Sequence, residues 1–264
     1  MTERVARLRQ ISLETVPTIS SERAELLTDF WSSAPETSMP VKRALAFRHI
    51  LLHKTITISD GELIVGERGP AAKAVPTYPE LCCHSLEDLD ILDRREKVFY
   101  RVSDRVREVY RDRIIPFWQG RAMRDIIFSH MTPEWLDAYQ AGIFTEFMEQ
   151  RAPGHTVLDD KIYRRGMNAF RQDIRRAMEQ LDWHGDPQAF DKHEELRAMD
   201  ICAEAIVLYA HRHAELAQRM AEEAADPARA AELRAIAEVC RRVPAEPPRT
   251  LHEALQSYWF CHLG

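Results

Sequence analysis

Glycine is scarce in this chain, with 9 in 264 residues. Neither G-x-G-x-x-G nor G-x-x-x-x-G-K followed by Ser or Thr occurs, so the glycine-lined phosphate cradles of dinucleotide-binding and P-loop proteins are excluded. No apolar run approaches the ~20 residues of a membrane-spanning helix. The basic N-terminal residues are not followed by the apolar stretch of a secretory signal. An excess of positive charge is missing too: the net charge is −6 and the pI is near 6.0, which leaves no footprint for a nucleic-acid backbone. These absences predict a soluble, cytoplasmic protein without nucleic-acid or membrane partners.

The five cysteines, Cys82, Cys83, Cys202, Cys240 and Cys261, are odd in number and contain no C-x-x-C spacing. That pattern argues against a zinc or iron–sulfur centre built from them. Adjacent Cys82 and Cys83 could pair only in a strained geometry, so reduced thiols and no bound metal are expected. Cys82-Cys83-His84 sets a thiol beside an imidazole, but neighbours on a loop do not generally face each other, and a structural role is expected.

What the chain does contain is Ala, Leu, Glu and Arg in quantity, with 45% hydrophobic residues, enough for a sizeable and mainly helical core. Helical spacing predicts elements over 2–15, from Ser20-Ser21-Glu22 to Trp31-Ser32-Ser33, and from Pro40 with Ala44, Phe47, Ile50 and Leu51 on one face. Alternation from Ile56 to Val65 around Asp60-Gly61 predicts a short β hairpin, and the Gly- and Pro-rich stretch 66–79 a loop. Ser85 opens a near capping box. Further helices are expected over 98–115, 162–183 and 190–225. The last of these forms an antiparallel hairpin with a helix that starts after Asp226-Pro227. Residues 244–248 form an extended linker, and Thr250-Leu251-His252-Glu253 caps a final helix whose Tyr258, Trp259 and Phe260 are expected to lie exposed and in need of cover. Glu194-Glu195 and Glu222-Glu223 are expected as solvated helix charges, and His211 and His213 on different faces.

Thr132-Pro133 starts a helix with a hydroxyl cap and a proline at its first position. Its apolar stripe of Trp135, Leu136, Tyr139, Ile143, Phe147 and Met148 runs into Arg151-Ala152-Pro153-Gly154-His155-Thr156. A cation, a flexible glycine and an imidazole within five residues, at the end of a packed helix, suit the wall of a small-molecule pocket. His155 can donate and accept near neutral pH. Arg151 could fork onto a carboxylate, or equally complement the helix dipole. Phe147, read bare, is a core residue.

The segment GIFTEFMEQRAPGHT at 142–156 resembles the glycyl radical enzymes of the pyruvate formate-lyase-like family. Asp60-Gly61-Glu62-Leu63-Ile64-Val65-Gly66-Glu67, Pro76-Thr77-Tyr78-Pro79-Glu80, Ile114-Ile115-Pro116-Phe117-Trp118 and Tyr258-Trp259-Phe260 match in order. The resemblance covers the whole chain, and only the front part of such an enzyme. It implies residues 1–264 as the N-terminal portion of a ten-stranded α/β barrel, mainly α in this stretch, with the glycyl radical domain absent. It further implies dehydration of trans-4-hydroxy-L-proline to a pyrroline carboxylate by thiyl radical chemistry, with His155, Phe147 and Arg151 on the substrate side. The radical would be installed by an activating enzyme that uses S-adenosylmethionine and an iron–sulfur cluster, and the full-length protein would be a homodimer. Neither the Gly-Cys-Val/Ile-Glu type loop nor the Arg-Val-Ser/Ala-Gly-Tyr type segment occurs, so no catalytic residue is expected here and the chain alone is expected to be inactive. Gly264 reads as a cut, and a second chain could complete the barrel. Two alternatives stay open: another glycyl radical enzyme, acting as a formate acetyltransferase or a C–S lyase of hydroxysulfonates, and a non-catalytic helical binding subunit.

Overall fold

A computed structural model describes residues 1–144 and 158–264. The chain is mainly helical. Helix α1 (Glu3–Glu14) leads into strand β1 (Thr18–Ser20), α2 (Glu22–Ser32) and α3 (Met39–His53). Strand β2 (Ala74–Pro76) precedes α4 (Leu86–Arg94), α5 (Asp104–Val109), α6 (Ile115–Trp118), α7 (Met123–Ser129) and α8 (Pro133–Gln140). After the undescribed residues come α9 (Lys161–Arg164), α10 (Met167–Glu179), α11 (Ala189–Glu223), α12 (Pro227–Arg242) and α13 (Leu251–Leu263).

The helix starts follow local chemistry. Thr2, Ser85, Ser103, Thr132 and Thr250 each accept a backbone N–H with the side-chain oxygen, which satisfies a donor the helix cannot use itself. Ser85 and Asp88 complete a reciprocal box. At α13 the acid of the expected box turns elsewhere: Glu253 accepts from the Arg249 N–H at 2.5 Å.

Helix α11, 35 residues long, is the spine. Ala203, Ala210, Ala214, Ala217 and Ala221 are buried along it. Spacings of 7, 4, 3 and 4 place small side chains on one stripe, which lets neighbouring helices approach closely. Leu51 of α3, Tyr209 of α11, Leu233 and Ile236 of α12 and Phe260 of α13 share its main core. A second core joins Ile19, Leu27, Leu89, Tyr110, Ile114 and Trp118.

The expected hairpin at 56–65 does not form. Among the described residues the strands are β1 and β2, which pair in parallel with Thr18 opposite Ala74 and Ser20 opposite Pro76. The Gly- and Pro-rich stretch therefore contains a strand after all. Around Asp60-Gly61 the backbone groups a hairpin would pair are taken by side chains. The Val65 N–H donates to Gln256 Oε1 and its carbonyl accepts from Gln256 Nε2, both at 2.8 Å, so one buried carboxamide replaces the partner strand. Ser59 N–H likewise donates to Glu62 Oε2 at 2.8 Å.

Two expected helices are interrupted. Over 98–115, Val98 adopts φ 53° and Arg101 exchanges backbone hydrogen bonds with Pro17 and Ile19, so helix begins only after Ser103. A π-helical turn at Tyr110–Ile114 then brings the Ile115 N–H to the Tyr110 carbonyl. That wider turn carries the chain through Pro116, which was expected to end it. Over 162–183 the break is Gly166, where a Cβ would meet the Ala245 carbonyl oxygen at 2.1 Å. Met167 and Asn168 donate backbone N–H groups to Pro244 and Ala245 at 2.8 and 3.0 Å. The segment after α12 is consequently a packed turn, not an extended linker.

Glu194 departs from the expected solvated charge. It is buried, not solvated, and its carboxylate accepts from the Ser38 hydroxyl at 2.5 Å, which ties α11 to the start of α3. Helix α13 is not an uncovered aromatic face: Phe260 is 0% exposed, and the Trp259 indole donates to the Gly66 carbonyl at 2.8 Å. Gly66 has φ +124°, and a Cβ there would lie 2.7 Å from Leu263, so this close approach requires glycine.

His213 lies between Tyr209 and Phe260, with ring centroids 4.6 and 5.2 Å away, and its Nδ1 is 2.9 Å from the Tyr209 carbonyl. Burial pulls its pKa down from 6.5 to about 4. The unfolded chain therefore binds this proton first as pH falls, so the associated stability is present above pH 6.5 and is lost between 6.5 and about 4. At pH 4.5 the loss should reach about 2–3 kcal/mol. Urea midpoints at pH 7 and 4.5 check this: His213→Gln, which cannot titrate, should flatten the difference.

Candidate functional site

Phe147, Arg151 and His155, the residues expected to face a substrate, lie outside the described residues. Their N-terminal flank is an aromatic cluster. Trp135 stacks on Tyr139 with ring planes 5° apart, and Phe144 meets Trp135 edge-on at 4.6 Å. The Arg124 guanidinium donates to the Tyr139 hydroxyl at 2.7 Å and to Cys82 Sγ at 3.5 Å. The C-terminal flank, Leu158 and Asp159, takes φ values of 58° and 56°, a left-handed conformation that side chains seldom adopt.

Burial pushes the Cys83 thiol up to about 12, opposite to what a nucleophile requires. His84 Nδ1 lies 3.9 Å from the Asp88 carboxylate. Cys240 and Cys261 are likewise raised by burial to about 12. Among the described residues no group of three or more His, Cys, Asp and Glu side chains could hold a metal. His211 and His213 diverge as their spacing demands: the first reaches the Arg241 carbonyl, the second is buried.

Among the described residues a cavity of about 640 Å³ lies between α2, α3, the 66–81 stretch, α6 and the end of α13. The second core builds its apolar wall, with Leu27, Ile50 and Trp118 on the lining. Five cationic side chains, Arg23, Arg43, Lys54, Arg68 and Arg121, line it together with two carboxylates, Glu22 and Glu80.

Two of the cations are fixed. Arg23 of α2 forks onto Glu80 at 2.6 and 3.1 Å, donates to the Thr77 carbonyl at 3.1 Å and lies 4.0 Å over the Tyr78 ring. This fork joins α2 to the Pro76-Thr77-Tyr78-Pro79-Glu80 turn. Lys54, at the end of α3, is buried and donates to the Glu67 and Arg68 carbonyls, each at 2.9 Å. Burial draws its pKa down to about 8. Arg212 of α11 donates to the Leu51 and Lys54 carbonyls at 2.6 and 2.8 Å, a cation against the negative end of α3. Glu22 accepts from the Thr55 N–H at 2.8 Å, so both lining carboxylates are engaged. The lining thus carries five cationic side chains against two carboxylates.

The Arg23–Glu80 fork gives a direct prediction. Arg23→Ala would leave Glu80 partly buried without its charged donor, costing about 2 kcal/mol. Arg23→Lys should recover only part, because an ammonium cannot reproduce the two-point contact. Chemical denaturation of the three proteins reads both effects. Nothing local to Pro76-Thr77-Tyr78-Pro79-Glu80 signals that Glu80 meets an arginine 57 residues earlier.

The chain is 47% identical over 263 residues to trans-4-hydroxy-L-proline dehydratase of Clostridioides difficile, covering 99% of this chain and 33% of that protein. It is 31% identical to isethionate sulfite-lyase of Nitratidesulfovibrio vulgaris, covering 98% and 32%. It superposes with a TM-score of 0.94, at 46% identity, on the crystal structure of hydroxyproline dehydratase from C. difficile with trans-4-hydroxy-L-proline bound, covering 100% of this chain and 34% of the other. The chain thus spans about a third of the length of the relatives it matches. With residues 1–264 matched by the family's model, the chain belongs to the pyruvate formate lyase-like family, the enzyme family of the glycyl radical dehydratases and lyases.

Proposed function

We propose that this chain is the front third of a glycyl radical dehydratase that removes water from trans-4-hydroxy-L-proline to give a pyrroline carboxylate. The observation that carries this reading is the gap between 47% identity to a protein of that activity and 31% to a C–S lyase of the same family, over almost the same residues. Residues 1–264 form the N-terminal part of the family's barrel domain. The radical chemistry, hydrogen-atom removal from the carbon beside the ring nitrogen, belongs to the part of the enzyme that holds the glycyl and cysteinyl motifs, activated by a separate S-adenosylmethionine enzyme. Neither motif occurs in these 264 residues, and the chain alone is inactive.

This chain's own contribution is to bind and orient. His155 hydrogen-bonds the substrate and holds the hydroxyl for departure as water, Arg151 pairs with the substrate carboxylate, and Phe147 supplies an apolar wall against the ring. A full-length enzyme activated anaerobically and offered trans-4-hydroxy-L-proline, isethionate and 1,2-propanediol separately should turn over the first at least a hundredfold faster than either of the others. Preference for either of the others would overturn the substrate assignment while leaving the family intact.

A further inference from the structure

We infer that His49 and His53, one turn apart at the end of α3, form a two-imidazole site for a divalent late transition metal such as nickel or zinc.

Spacing makes the first argument. Residues i and i+4 of a helix stand one above the other on the same face. Two imidazoles at that spacing can close on one ion, as they do in helical zinc sites. The rings already lie together, with centroids 4.3 Å apart and planes 37° from parallel. Metal–nitrogen bonds are about 2.0–2.1 Å long, so a small turn about the side-chain torsions brings one nitrogen of each ring to a shared ion. His49-Ile50-Leu51-Leu52-His53 is the only place in the chain where two histidines stand three or four residues apart.

Hydrogen bonding makes the second. His53 Nδ1 lies 2.7 Å from the His49 carbonyl. As the donor there, it keeps its lone pair on Nε2. A carbonyl that fixes the tautomer and the ring plane is the usual support of a metal-ligating histidine. His53 is exposed, and His49 is half-buried with its ring 5.7 Å from that of Phe30, which restrains the second ligand. Among the described residues neither nitrogen of the His49 ring has a hydrogen-bond partner.

A histidine in a last turn also complements the helix dipole. That accounts for His53 alone. It gives no reason for a second imidazole stacked on the first, since two imidazolium ions so close repel each other, whereas a metal draws on both in the neutral form. Water or an incoming ligand takes the remaining coordination positions. The site is therefore an open one, distinct from the clusters of three or more ligands that the described residues do not build.

The test titrates NiCl2 into the full-length enzyme before activation, under anaerobic conditions. Calorimetry reads the affinity, and hydrogen exchange of peptides across 49–54 reads the place. A saturable site is expected, with exchange slowed over the last turn of α3, because an ion that binds the folded turn stabilises it. His49→Ala and His53→Ala should each weaken the site at least about tenfold. His130 is the matched control: it is exposed and its Nδ1 lies 2.7 Å from the Ile126 carbonyl, with isoleucine where a second imidazole would stand. His130→Ala should leave the affinity unchanged. His49→Gln and His53→Gln, closer in size, repeat the test should an alanine disturb the packing against Phe30. Nickel binding that survives the loss of either imidazole, that falls equally in His130→Ala, or that does not occur would overturn the inference. Neither readout involves the radical or the substrate, so the proposed activity stands or falls separately.

Discussion

Phe260→Ala is expected to lower the stability of this chain by about 3–5 kcal/mol, the range for emptying a buried aromatic site. Phe260 is fully buried and touches Tyr209 and His213 edge-on or tilted, at centroid distances of 5.7 and 5.2 Å. Those contacts join the last helix to the spine, so the cavity would open at the centre of the main core. Two features make collapse into the space difficult. Gln256 holds both polar backbone groups of Val65, and Trp259 holds the Gly66 carbonyl, so α13 is pinned on either side of the gap. Phe260→Leu should cost less than half as much, since most of the apolar volume remains. Thermal or urea unfolding distinguishes the outcomes. A loss under 1 kcal/mol for the alanine variant would mean that α13 adds little to the core.

The second large effect concerns activity. In the full-length enzyme, His155→Ala is expected to lower kcat/KM for trans-4-hydroxy-L-proline by roughly 10²-fold, the scale of a lost substrate-positioning contact. An imidazole with a reference pKa near 6.5 both donates and accepts around neutrality, which suits a hydroxyl that must leave as water. The electron paramagnetic resonance signal of the glycyl radical should be unchanged, because storing the radical does not involve the substrate pocket. His155→Gln keeps a donor and should retain part of the activity. Unchanged turnover in the alanine variant would remove His155 from the site. Loss of the radical signal alongside turnover would point to a folding defect instead.

The helices were legible where local chemistry decides them. Hydroxyl caps at Thr2, Ser85, Thr132 and Thr250 are written in adjacent residues, as is the apolar spacing of α3 and α11. What could not be read were the places where a distant residue replaces a local partner. The carboxamide of Gln256 occupies the backbone of Val65 across 191 residues and dissolves the hairpin that the Ile56 to Val65 alternation suggested. Gly166 breaks a periodic helix because the Ala245 backbone presses against it. Glu194 reads as a surface acid until Ser38, 156 residues earlier, is seen to bind it. The same holds for the cavity. Arg23 and Glu80 each look like ordinary surface charges, and only the fold brings them into a fork. The family, in contrast, was carried by contiguous motifs and needed no tertiary contact to be seen.

The measurement that bears most directly on the central claim is the intact mass of the native species that contains this sequence, isolated from anaerobically grown source cells. A polypeptide of roughly three times 30.6 kDa is expected, since the chain spans 33% of its dehydratase relative, with peptides running on into glycyl and cysteinyl radical motifs. A species of 30.6 kDa with no companion chain carrying those motifs would contradict it.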